Sequence, residues 1–169
     1  MHSTELLLDA YDRIRESVHA AVADLSADDL ATRPAPDANS VGWLVWHLTR
    51  VQDDHVADVA GTEQVWSGQG WADRFGLDLP VGDTGYGHDS DQVAKVRVGS
   101  PELLTGYYEA VHERTLGYLR GLEAGDLDEV VDENWDPPVT LGARLVSVLA
   151  DDLQHAGQAA YARGLLRRS

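Results

Sequence analysis

The sequence predicts an all-α protein, a bundle of four long helices. Three observations predict it. Four stretches carry apolar residues at intervals of three and four, the spacing of one helix face. Capping and breaking residues punctuate the ends of these stretches. No stretch alternates in the two-residue period of a strand. With 169 residues, 43% of them hydrophobic, the chain is long enough for one domain, taken as 1–169, around a single core.

The first helix is expected from about Ser3 to Asp24, where Leu7, Tyr11, Ile14, Val18, Ala21 and Leu25 recur at helical spacing. Ser26-Ala-Asp-Asp29 reads as an acidic helix start opening a short turn, which Arg33-Pro-Ala-Pro36 stops. Asn39 or Ser40 can cap a second helix running to about Val59, with Gly61 as the stop. Its first half, Val41, Trp43, Leu44, Val45, Trp46 and Leu48, is apolar all round and predicts burial on several sides.

Residues 62–99 form the least regular stretch, with Trp66, Trp71, Phe75, Tyr86 and seven glycines. Short helices fit near 70–75 and 89–97. This long connection between the second and third long helices is either a crossover packed by its own aromatics or a lid or pocket wall. Ser100-Pro-Glu opens the third long helix, a capping Ser followed by Pro at the first helical position, and the pattern continues to about Leu122. Gly125 and Asp126 break it. Asp136-Pro-Pro138 is a boundary, and Thr140 caps a last helix through about Leu166, with Arg163, Arg167 and Arg168 suiting its C-terminal dipole.

Composition removes several functions. The net charge is −16, which opposes binding to nucleic-acid phosphate or to anionic membrane. No apolar run approaches the roughly 20 residues of a membrane span. No basic-then-apolar leader opens the chain, so a cytoplasmic location is expected. There is no Cys, so any thiol chemistry must draw its thiol from a small molecule. Lys95 is the only lysine among 13 basic residues. Together with abundant Ala, Val, Gly and Asp, this points to a high-GC, actinobacterial type of genome. No nucleophile elbow, phosphate loop, dinucleotide fingerprint or His-Glu-x-x-His pattern is present.

The residues that carry chemistry are His47, Asp151 and His155. Four helical residues turn by about 400°, so Asp151 and His155 lie roughly 40° apart on one face. With His47 from a facing helix they make an N₂O set that holds a divalent metal and leaves positions open. The plainer alternative for His47 is a core histidine bonded to a backbone carbonyl. Asp152 competes with Asp151 as ligand but points about 100° away, so Asp151 is preferred. Gln158, three after His155, is either an orienting partner for it or ordinary packing.

Asp54 follows His47 by nearly two turns on the same face. It is a candidate proton acceptor or water-orienting group, against the alternative of a solvated surface carboxylate. His55 is assigned to a pocket wall or the surface. Arg50 is a candidate for binding a substrate or cofactor carboxylate, against a surface ion pair. Tyr86 and His88 lie between glycines that let backbone approach a ligand. Tyr86 is a candidate cofactor contact and His88 a candidate catalytic group, against an exposed turn. Trp43, Trp46, Trp66 and Trp71 are candidates for lining an apolar substrate pocket, against core packing, which is the expectation for Trp43 and Trp46.

Around these residues the chain resembles the DinB-like metal-binding four-helix-bundle superfamily. Trp43-Leu-Val-Trp-His-Leu48, His155-Ala-Gly-Gln158 and the ligand position four before His155 carry the resemblance. Many members have His where this chain has Asp151, and thiol-dependent members use a carboxylate there. The run from Asn39 to His55 and Gly85-Tyr-Gly-His88 resemble the mycothiol S-transferase branch more narrowly. The resemblance implies an up-down-down-up bundle, often dimeric, with a divalent metal on His47, Asp151 and His155. It also implies a low-molecular-weight thiol, mycothiol, bound to that metal as thiolate. Zinc is the expected metal, though a mixed N/O set also admits nickel, iron or manganese. The function expected on these grounds is transfer of the thiol to an electrophile, as in detoxification. Metal-assisted hydrolysis or isomerisation, and a non-catalytic metal- or ligand-binding bundle, stand as alternatives.

Overall fold

The computed structural model describes residues 2–123 and 125–167; Arg168, one of the three terminal arginines, lies outside them. Eight helices run in the order α1 (Ser3–Val22), α2 (Ala27–Ala31), α3 (Val41–Ala60), α4 (Val65–Gly68), α5 (Trp71–Phe75), α6 (Ser90–Lys95), α7 (Pro101–Arg120) and α8 (Leu141–Leu166). A 3₁₀ turn at Asp126–Asp128 and a two-stranded antiparallel hairpin, β1 (Val130–Asp132) with β2 (Val139–Thr140), precede α8.

Local sequence sets the helix ends. The side chains of Ser26, Ser40, Asp89, Ser100 and Thr140 each accept a backbone N–H three residues on, satisfying donors a helix start leaves free. Ser40, not Asn39, is the α3 cap. Gly61 closes α3 in the left-handed region at φ 62°. α1 stops at Val22, short of the expected Asp24, where Ala23 turns to a non-helical ψ of 132° and Asp24 then takes φ 59°. The connection carries α4 in addition to the two short helices expected, and the hairpin is unexpected. Its strands are three and two residues long, too short for any periodicity to show.

Hydrogen bonds between the long helices fix their directions. On α1 and α8, Tyr11 pairs with Leu145 and Ala23 with Arg163, so they run parallel. On α1 and α7, Asp12 meets His112 while Arg15 meets Glu109, so they oppose. On α3 and α7, Tyr107 sits by Arg50 and Tyr118 by Val59, again parallel. On α3 and α8, His47 faces His155 while His55 meets Arg144, antiparallel. The bundle is therefore up-down-down-up, with the long connection between its second and third members.

α3 is the hub. Residues 41–50 are buried without a break, as its all-round apolar start demands. The connection is tied to it by polar groups as well as by rings. Asp53 accepts the backbone N–H of Val65 and of Trp66 at 2.8 and 2.7 Å and the hydroxyl of Tyr107 at 2.8 Å. Trp66 packs on Phe75 and Tyr107, each at 5.1 Å between ring centres, and its indole donates to the Val81 carbonyl. The connection is thus packed by its own aromatics, and residues 84 and 86 also form a pocket wall.

A candidate metal centre between α3 and α8

The antiparallel crossing of α3 and α8 places His47 opposite the Asp151/His155 pair. One potential ligand atom from each lies within 4.8 Å of the others. The rings of His47 and His155 meet edge to face at 4.7 Å. Asp152 does not join them. It faces the core, is 0% exposed, and has neither carboxylate oxygen hydrogen-bonded. Burial, and then the charge of Asp151, push its pKa well above the carboxylate range.

Each histidine is oriented through Nδ1. His47 Nδ1 lies 2.5 Å from the Thr84 carbonyl oxygen. A carbonyl only accepts, so Nδ1 carries the proton and Nε2 keeps its lone pair. Burial pushes the His47 pKa below its ordinary value, against the pull of that hydrogen bond, so the ring is neutral at pH 7, as a ligand must be. His155 Nδ1 lies 2.9 Å from Gln158 Oε1, the orienting role the spacing allowed. Its Nε2 is 3.6 Å from Asp151 Oδ1. Asp151 Oδ2 is buried with no hydrogen-bond partner. An unpartnered carboxylate oxygen beside two imidazole lone pairs fits a divalent cation: the donors suit zinc or a similar ion, and the buried oxygen gains the partner it lacks.

Two of the three, His47 and Asp151, open on a cleft of about 380 Å³ that Val51, Asp54, His55, Thr84, Tyr86, Ser147 and Val148 also line. Asp54 faces this cleft, with Oδ1 held by Gln64 at 2.6 Å. Tyr86 stands at its mouth, 91% exposed. His55 forms wall, its Nδ1 lying 3.0 Å from Arg144 Nη1, and Arg144 also donates to Asp132.

Two candidates lie elsewhere. Arg50 is 0% exposed and does not line the cleft. Its guanidinium donates to the Asp83 carbonyl, Gln64 and Tyr107, lies 3.6 Å from Asp53 and rests on the Trp66 ring. Both the ligand contact and the surface ion pair expected of it give way to a buried pair. His88 also lies outside the cleft: its side chain is 2% exposed and both ring nitrogens are engaged, by Trp43 and Asp83. It is neither a free acid–base group nor an exposed turn residue. Thr84 escapes sequence reading because its backbone, not its side chain, does the work. The only signal is the run of glycines beside it.

A helical bundle with a cation-ready N₂O set on facing helices defines a DinB-like metal-binding bundle. The model of the mycothiol-S-transferase family matches residues 6–168. The chain belongs to that family. Among solved structures it is similar to the conserved protein of a locus from Enterococcus faecalis, at 36% identity and a TM-score of 0.94, over 100% of this chain and 99% of that one. No curated protein matches. Among the described residues no helix is long and apolar enough to cross a membrane.

Proposed function

We propose that this chain is a metal-dependent S-transferase that joins a small-molecule thiol, mycothiol, to an electrophilic carbon. The observation that carries this reading is the N₂O set of His47, Asp151 and His155, of which His47 and Asp151 line an open cleft. A divalent ion held there, zinc by its donors, supplies the acidity that leaves a coordinated thiol without its proton at neutral pH.

The chain supplies the rest. His47 and His155 would present Nε2 to the cation, and Asp151 would offset its charge. Asp54, fixed by Gln64 on the cleft wall, accepts the thiol proton and passes it to solvent. The sulfur then forms the new C–S bond as the electrophile's leaving group departs with its electron pair. Tyr86, at the mouth, covers the bound thiol. Five of the nine lining residues, Asp54, Thr84, Tyr86, Ser147 and Asp151, carry a hydroxyl or carboxylate, and none carries a fixed positive charge. Such a wall suits a neutral polyol thiol and repels an anionic peptide thiol. Without Cys, no covalent protein–thiol intermediate forms.

The test is conjugation of a haloalkyl electrophile by metal-loaded protein, with and without mycothiol, followed by mass spectrometry. Conjugate that requires both protein and thiol supports the proposal. Turnover without thiol replaces it with metal-assisted hydrolysis or isomerisation. Absence of turnover across a broad electrophile panel leaves a binding protein.

A further inference from the structure

The Thr84 carbonyl that orients His47 lies on a loop, and a loop carbonyl holds a histidine only if it is itself held. Residues 83–88 are tied down on each side of it. Arg50 Nε donates to the Asp83 carbonyl at 3.1 Å. The Asp83 carboxylate accepts the Gly85 N–H at 2.8 Å through one oxygen and bonds His88 Nε2 at 2.9 Å through the other. The Trp43 indole donates to His88 Nδ1 at 3.1 Å. An indole N–H can only donate, so Nδ1 of His88 is bare and Nε2 carries the proton that Asp83 receives as a hydrogen bond. Trp46 stacks on the His88 ring at 5.9 Å, and Trp43 stacks on His47 at 4.6 Å. Gly85 has φ 87°, and a Cβ there would sit 2.8 Å from His47 Nδ1 and 3.0 Å from the Trp46 ring. The backbone is pressed against the ligand ring at a position only glycine fits.

We infer that residues 83–88 form a clasp that fixes the tautomer and direction of His47, in which His88 is a positioning residue acting through two hydrogen bonds and not through its proton. The inference rests on His47 being a metal ligand, as in the proposed function. Removing the outer partner of a ligating histidine typically costs about 10–100-fold in metal affinity.

The experiment compares the full chain with His88→Leu, His88→Gln, Gly85→Ala and His47→Ala. Zinc affinity is measured by competition titration, the visible spectrum is recorded on the cobalt(II) form, and circular dichroism checks folding. Leu removes both hydrogen bonds of His88, whereas Gln keeps one acceptor and one donor. The expected result is a loss of about 10–100-fold in affinity and a changed cobalt spectrum for His88→Leu, with recovery in His88→Gln. Gly85→Ala, which displaces the Thr84 carbonyl from the other side, should reproduce the loss if His88→Leu does not fold. Wild-type affinity and spectrum in folded His88→Leu or Gly85→Ala would overturn the clasp. So would a His88→Gln protein that binds metal normally but has lost conjugation, since that marks His88 as a proton carrier. Wild-type affinity in His47→Ala instead removes the metal-site reading itself.

Discussion

The three candidate ligand side chains are held with unequal firmness. His47 is buried and clasped, His155 is steadied by one amide oxygen, and Asp151 keeps an oxygen with no partner. His47→Ala and His155→Ala should each lower metal occupancy at least tenfold by elemental analysis, on the order expected for loss of one ligand or its support. Asp151→Ala should do the same. Asp152→Ala should leave occupancy near wild type, and the reverse result would exchange the two carboxylates. The Asp151/His155 pair is legible in the sequence because spacing alone puts two residues on one helix face. Arg50 and His88 are not legible in this way. A charged or titratable residue between apolar ones is read as exposed or functional, and only tertiary packing shows Arg50 paired with Asp53 and His88 spent on Trp43 and Asp83.

At the scale of elements, α3 does more than carry the candidate ligand His47. Its Asp53 fastens the start of α4 by accepting the Val65 and Trp66 amides, and it neutralises Arg50 3.6 Å away. Asp53→Ala should destabilise the protein by roughly 3–5 kcal/mol in urea denaturation, because it leaves a buried guanidinium without its counter-charge. A loss below about 1 kcal/mol would put the pair in the class of exposed salt bridges. The four long helices are legible from periodicity and caps, since each is long enough to show both. The short hairpin and α4 are not: Asp53 holds the first two amides of α4 and the hairpin's strands pair with each other, partners that no local pattern records.

For the whole molecule, charge directs where a second copy can approach. Most of the surface belongs to a chain of net −16. On the outer face of α8, however, Ala143, Val146, Ala150, Leu153, Gly157, Ala160 and Gly164 recur at alternating steps of three and four, all exposed and all uncharged. The family resemblance implies a homodimer, and this uncharged face, spaced in the heptad manner of helix seams, is the one we predict it uses. Light scattering should give twice the chain mass for wild type and the chain mass for Leu153→Glu. A dimer that survives the substitution is built on another face.

The candidate metal set spans the chain as well as the bundle. One proposed ligand stands at position 47 and the others at 151 and 155, on helices that meet only once the last segment has docked. An unfolded chain therefore offers no ready site, and whatever metal affinity exists becomes conformational stability. Free ion at about 100 times its dissociation constant adds about 2.7 kcal/mol, and each further tenfold about 1.4 more. The melting temperature should thus climb with the logarithm of zinc concentration, fall back with chelator, and lose this slope in His155→Ala. Metal supply would then set how long the protein survives heat and proteolysis, as well as whether it turns over substrate.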